Sequence, residues 1–312
     1  MPVTPVTPVT QNAPVATCAR WIRVHARAAM ACALVAGTLC GAGCGTPTDL
    51  ATGERIVEVA SGRSVTRAEL LAAIRASDYA LLGEQHDDAL HHRRRGELIA
   101  ALPTTAAVIA EQLPRGAPVE FGSDLEASLV RSGFEPRGWG WPLHEPLFAA
   151  IARAGLALRG GNLARDDARR VAREGDTALP AGLAALLGAA PLAGTAQAAL
   201  DADLVQGHCG QLDAQQLPGV RRAQRARDAS MLAALRESGG KPAILMAGNG
   251  HVRRDYGVPQ LVAALTPGAK LVSVGFVEAD SDDDRAPYTY RWITPPIARE
   301  DPCAGFVMPK PK

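Results

Sequence analysis

The sequence predicts an α/β fold: a mostly parallel sheet flanked by helices, in a single domain behind an N-terminal signal segment. Three observations predict it. From about residue 60, apolar runs of four or five residues alternate with longer stretches of helical periodicity, the pattern of βαβ units. Hydrophobic residues make up 47% of the 312, enough for a sizeable core, and no repeat unit is visible past the leader. The polar residues fall directly after the apolar runs, where an open α/β sheet places its ligand.

Taken in order, Thr66 with Glu69 three residues on forms a capping box that opens the first helix. "YALLG" (79–83) is the first strand, and "DALHHRRRGELIAAL" is a helix that stops before Pro103. "AAVIA" (106–110) is the second strand, succeeded by a Gly/Pro-rich loop and a weak helix from about Ser123. "HEPLFAAIARAG" (144–155) is a helix ending on glycine, and "LALRG" (156–160) is the third strand. Residues 163–200 are helical in character, and a long amphipathic helix runs from about 218 to 238, closed by Gly239 and Gly240. "AILMA" (243–247) is the fourth strand, a helix begins after Pro259, and "KLVSVGF" (270–276) is the fifth strand. "YTYRWIT" (288–294) alternates like an edge strand.

Composition excludes some classes. Lys plus Arg total 33 against 32 for Asp plus Glu, and aromatics are 4%, so there is neither a basic field nor a stacking surface for nucleic acid.

Residues 1–44 read as a leader. A threefold Pro-Val-Thr repeat has nothing to bury, Arg20, Arg23 and Arg27 form a basic patch, and an uncharged run ends at Cys44. That is the order of a secretory signal peptide, and the run is short for a bilayer span. "GAGC" (41–44) resembles a bacterial lipobox, which would acylate Cys44 and anchor the chain to the membrane at the cell envelope, facing the periplasm or the outside. Plain secretion and an uncleaved anchor are the alternatives. The expected layout is a tether over 45–60, the α/β domain over 61–300 and a tail over 301–312. Cys209 and Cys303 are the two cysteines beyond the leader. In an oxidising compartment they are disulfide candidates, although sequence does not bring their Cα atoms into range.

The residues just past the last apolar position of each strand are the ones a ligand would meet. The first strand delivers Gly83-Glu84-Gln85-His86, the second Glu111-Gln112, the third Gly161-Asn162 and the fourth Gly248-Asn249-Gly250-His251. Two carboxylates, two histidines and two asparagines therefore converge if these strands are neighbours. Glycine suits each turn because the chain must bend sharply, often through positive φ. Imidazole plus carboxylate can hold a divalent metal, with His86, Glu84, Glu111, His251 and His208 as candidate ligands, or carry general acid/base chemistry through His86, Glu84 and His251.

Other residues are weaker candidates. His91 and His92, with Arg93–Arg95 directly after them, read as the solvated face of a helix. His144 either caps a helix or lines the crevice. Gln224 and Asp228 share a helix face, and Asp228 can orient a histidine. Arg253 and Arg254 can hold an anionic group such as a propionate or phosphate, and a phenolate from Tyr256 can ligate ferric iron.

"LLGEQHDDALHH", "AEQLPRG", "GGN", "AQRARDASM" and "MAGNGHVRRDYGVP" resemble, in order, the ChaN-like family of bacterial lipoproteins, a haem-binding uptake group of the Tiki superfamily. The resemblance runs from about residue 75 to 265. It implies haem or iron acquisition at the cell envelope, through a crevice at the carboxyl ends of the strands. The wider superfamily implies metal-dependent hydrolases that share the two Gly-x-x-His segments, with Glu84, Glu111 and Asn162 at matching polar positions. Three readings are open: a haem- or iron-binding uptake lipoprotein, a metal-dependent hydrolase or protease, and a non-catalytic periplasmic interaction protein. A haem slot can also be completed by a second copy, so a homodimer stays open. Of the four tyrosines, Tyr79, Tyr256, Tyr288 and Tyr290, only Tyr256 falls near the crevice.

Overall fold

A computed structural model describes residues 50–116, 118–281 and 287–307. The leader, the lipobox-like segment and Cys44 lie outside the described residues. Eight strands form one sheet: β1 (Arg55–Glu58), β2 (Ser64–Val65), β3 (Tyr79–Leu82), β4 (Ala107–Pro114), β5 (Ala157–Asn162), β6 (Ala243–Met246), β7 (Leu271–Glu278) and β8 (Tyr290–Thr294). Their order is β2-β1-β8-β7-β3-β6-β4-β5. The six strands from β8 to β5 are parallel, and β1 is antiparallel to both its neighbours.

The central strands β3 (YALL) and β6 (AILM) are apolar at nearly every position because both faces of a parallel sheet are covered. Their alternate residues feed two cores. Ala80, Leu82, Ile244 and Met246 pack with α2 (Ala89–Ala100), α3 (Leu125–Arg131) and α4 (Glu145–Arg153). Leu81 and Leu245 pack with α5 (Arg165–Glu174), α6 (Ala181–Ala189), α8 (Leu217–Glu237) and α10 (Val258–Leu265). Among the described residues, no helix is long and apolar enough to cross a membrane.

Three local features of the predicted layout come out differently. Residues 55–58 of the expected tether are sheet, because the whole of β1 pairs with β8. That pairing also places β8 inside the sheet, between β1 and β7, so it is not an edge strand. The tail is tied down: Cys303 is disulfide-bonded to Cys209, with Cα atoms 5.5 Å apart. The predicted capping box on α1 (Arg67–Arg75) is formed, with Thr66 and Glu69 exchanging hydrogen bonds.

Four strands end level with one another. Leu82 pairs in register with Met246, Met246 with Ala110, and Ala110 with Gly160. The segments beyond these four residues emerge along one edge, and the two Gly-x-x-His segments, on adjacent strands β3 and β6, emerge side by side.

Candidate functional site

The two glycines are required by each other's motif. A Cβ on Gly83 would strike Asn249 Oδ1 and lie 2.7 Å from Val252 Cγ2. A Cβ on Gly248 would lie 2.8 Å from His86 Nε2. Neither residue has positive φ, so close approach, rather than the turn geometry expected from sequence, excludes a side chain here.

Glu84 is the hub of the first half-site. Its side chain is wholly buried, and Oε1 accepts hydrogen bonds from His86 Nδ1 and Gln112 Nε2, both at 2.8 Å. Oε2 forms an ion pair with Arg95, which is itself fully buried. In its neutral form His92 donates from Nε2 to the His86 carbonyl at 3.0 Å, and its Nδ1 lies 2.9 Å from both Arg95 Nη2 and Glu84 Oε2. Burial pushes His92 down to about 4, consistent with that neutral state, and pushes Arg95 down to about 9.

In the neutral ring, with the Nδ1 proton directed at Glu84, His86 Nε2 keeps a lone pair. This imidazole is 49% exposed, with the Trp139 ring edge-on at 5.2 Å. It is a carboxylate-oriented imidazole with one nitrogen available for a ligand or a proton.

The second half-site is closed. His251 places Nδ1 2.6 Å from Asp228 Oδ1 and Nε2 3.4 Å from Glu111 Oε1, and all three side chains are buried. With a carboxylate at each nitrogen, both must be protonated. Burial opposes that charge, yet Glu111 and Asp228 outweigh it and push His251 up to about 10. Burial alone would raise Glu111; His251 overrides it and holds the carboxyl well below the usual range. Burial raises Asp228. Glu111 Oε2 also accepts from the Gly248 amide at 2.7 Å, so the carboxylate on β4 locks the start of the second Gly-x-x-His turn. Glu111 and Asn162 belong to the extended ends of β4 and β5, and Asn162 Nδ2 donates to the Glu111 carbonyl at 2.9 Å.

Several sequence candidates sit elsewhere or are occupied. His208 caps the end of α7 (Gly194–Gly207), with Nδ1 2.7 Å from the Leu204 carbonyl, and the neighbouring Cys209 thiol is consumed in the disulfide. Tyr256 is 1% exposed and its hydroxyl donates to Asp203. Burial and that bond raise its pKa, so it offers no phenolate. Arg253 lies over the Tyr256 ring and pairs with Asp203 and Asp255, while Arg254 is exposed. Asn249 Nδ2 donates to the Phe276 carbonyl, a structural bond. Gln224 Nε2 stands 3.2 Å from His251 Nε2, and Asp228 holds the other ring nitrogen.

The reading of His91, His92 and Arg95 as solvated is corrected: all three are fully buried, because α2 turns this face onto the sheet edge. A sequence signal for this burial does exist. Residues 91, 95, 98 and 99 fit the i, i+4, i+7, i+8 stripe of a core-facing helix face.

Glu84, His92 and His144 could in principle hold a metal ion, their ligand atoms all lying within 4.8 Å of one another. The donors do not fit one. Arg95 already neutralises Glu84 Oε2 and uses the free nitrogen of His92, and a divalent ion would have to displace that guanidinium. His144 remains a neutral ring, pushed down to about 2 by burial and by the neighbouring His92 and Arg95.

Two cavities open beside this ridge. One, of about 480 Å³, is lined by Glu111, Trp139, Asn162 and Arg227 among others. The other, of about 650 Å³, is lined by Gln85, Gln224, Gly250 and Asp203 among others.

A family model described as "Haem-binding uptake, Tiki superfamily, ChaN" matches residues 70–262. Among solved structures, the fold is similar to that of ChaN of Campylobacter jejuni, described for its cofacial haem binding. The TM-score is 0.60 at 18% identity, covering 78% of this chain and 97% of that one. An erythromycin esterase mutant in its open conformation also matches, with a TM-score of 0.37 at 14% identity over 75% of this chain and 80% of that one, too distant to carry an argument. No curated protein matches.

Proposed function

The chain belongs to the ChaN family of haem-binding uptake proteins in the Tiki superfamily, and on that premise we propose that it binds haem at the carboxyl edge of its sheet, with His86 Nε2 as the axial ligand. One observation carries this reading: His86 is half exposed, and its other nitrogen is fixed on the buried Glu84 carboxylate. A carboxylate behind a ligating imidazole sets the tautomer and raises the basicity of the ligating nitrogen. The bond of the Tyr256 hydroxyl to Asp203 favours His86 over Tyr256, the sequence candidate for the iron. The basic patch, apolar run and Cys44 fit an exported, acylated protein handling haem or iron at the envelope, with a second copy able to cover the exposed face. The test is a haem titration of the full-length protein, read in the Soret band. Wild type and Tyr256→Phe should show a saturable shift that His86→Ala lacks. A shift kept in His86→Ala and lost in Tyr256→Phe would overturn the assignment.

A second reading draws on the same dyad. His86 Nε2 could take a proton from a water that attacks an ester's acyl carbon and return it to the departing alkoxide as the C–O bond breaks, with Glu84 stabilising the imidazolium in between. The proximity of Glu111 to His86 favours it, since that buried anion would also support the charged ring. Turnover of a simple aryl ester that vanishes in His86→Ala, in a protein that shows no Soret shift, would make this the better account.

A further inference from the structure

Most cations around this edge are already matched. Arg95 has Glu84, Arg94 has Glu54 and Glu97, Arg253 has Asp203 and Asp255, and Arg299 has Asp87 and Glu278. Arg227 is different. It projects from α8 into the cavity of about 480 Å³, and among the described residues its hydrogen bond is to a neutral amide, Nη1 to Asn162 Oδ1 at 2.8 Å. A guanidinium has five N–H donors, so most of this one's are unused.

The carboxylates in the same cavity wall are committed elsewhere. Glu111 is held by His251 and the Gly248 amide, Glu135 pairs with Arg165 at 3.2 Å, and Asp166 pairs with Arg169 at 3.3 Å. Burial, with the like charge of Arg165, pulls Arg227 below its usual value; Glu111 attracts it from a distance and only in part offsets that burial. Asn162 is anchored in turn on the Glu111 carbonyl, so the guanidinium is held in a fixed orientation. Trp139 lines this cavity and also touches the His86 ring, which makes the wall continuous from Arg227 to the exposed imidazole.

We infer that Arg227 is the carboxylate anchor of the ligand site, receiving a haem propionate in this cavity while the macrocycle lies against Trp139 toward His86. A paired, fork-shaped donor set matches a carboxylate bidentately, and the bond is strong where water is partly excluded. Arg253 and Arg254, the sequence candidates for this role, are respectively occupied and exposed.

The inference rests on haem being the ligand, and the experiment separates the two claims. Full-length wild type, Arg227→Met and Arg227→Lys are titrated with haem and with haem dimethyl ester, whose propionates are blocked. Wild type should bind haem about tenfold more tightly than the diester, the value of one charge-assisted bond. Arg227→Met should bind both alike and at the diester level, and Arg227→Lys should recover part of the preference. If wild type binds haem and diester equally, the anchor is refuted while haem binding stands, and this arm needs no variant that might misfold. If wild type prefers haem but Arg227→Met keeps the preference, the anchor lies elsewhere. If wild type binds neither, the haem reading fails and the anchor falls with it.

Discussion

His86 and His251 each stand three residues after a glycine at the end of a parallel strand, on neighbouring strands of one sheet. Their surroundings differ. His86 has one carboxylate in hydrogen-bond contact, Glu84, whose charge is already balanced by Arg95, and half of its ring meets solvent. His251 has a carboxylate on each nitrogen and almost no solvent. The same four-residue pattern therefore yields an available nitrogen in one place and a fixed internal cation in the other. Motif identity does not assign the role; the count of carboxylates and the burial do.

The largest effect that would break this comparison is on stability. His251→Leu leaves Glu111 and Asp228 buried and uncompensated, and should cost about 3–5 kcal/mol, read from denaturant unfolding. A cost under about 1 kcal/mol would show that His251 is not the internal cation.

A smaller effect of the same origin appears on raising the pH. The folded pKa of His251, about 10, is above its ordinary 6.5, so its contribution is complete below 6.5 and lost as pH climbs toward 10. Glu111, Asp228 and Arg225 are the charged groups that face it, with Arg225 3.9 Å from Asp228. The neutral ring still fills its space, so the loss is less than in His251→Leu. Thermal melts of wild type should decline from pH 6.5 to 10, while His251→Gln should lack that decline.

The glycines sharpen the contrast further. Gly83→Ala drives a methyl into buried Asn249 and Val252 and should destabilise by about 1–3 kcal/mol. Gly248→Ala meets the end of the exposed His86 ring, which can swing away. Its unfolding should change little while haem binding is lost. His86→Ala should have the smallest effect on stability, within about 1 kcal/mol, because Glu84 keeps Arg95 and Gln112. Comparable destabilisation by His86→Ala and His251→Leu would erase the distinction.

Much of the frame was legible in the sequence because apolar runs as short as YALL and AILM have one stable use, the centre of a parallel sheet. The convergence of Glu84, His86, Glu111 and His251 was legible too, because each lies just past the last apolar residue of its strand. The burial of Arg95 and His92 was obscured by three consecutive arginines, of which Arg93 alone is exposed, so local charge hid the stripe shared with Leu98 and Ile99. Arg227 carried no sequence signal. Its significance lies in the counter-charge it lacks, and that depends on the side chains of α8 meeting β5 across the fold.

The most direct test is the protonation of His251, monitored by proton–nitrogen NMR of its ring from pH 6 to 10. Two protonated ring nitrogens persisting through neutral pH and lost only near pH 10 are the predicted result. A ring already neutral at pH 7, with one bare nitrogen, would contradict the division of labour between the two histidines.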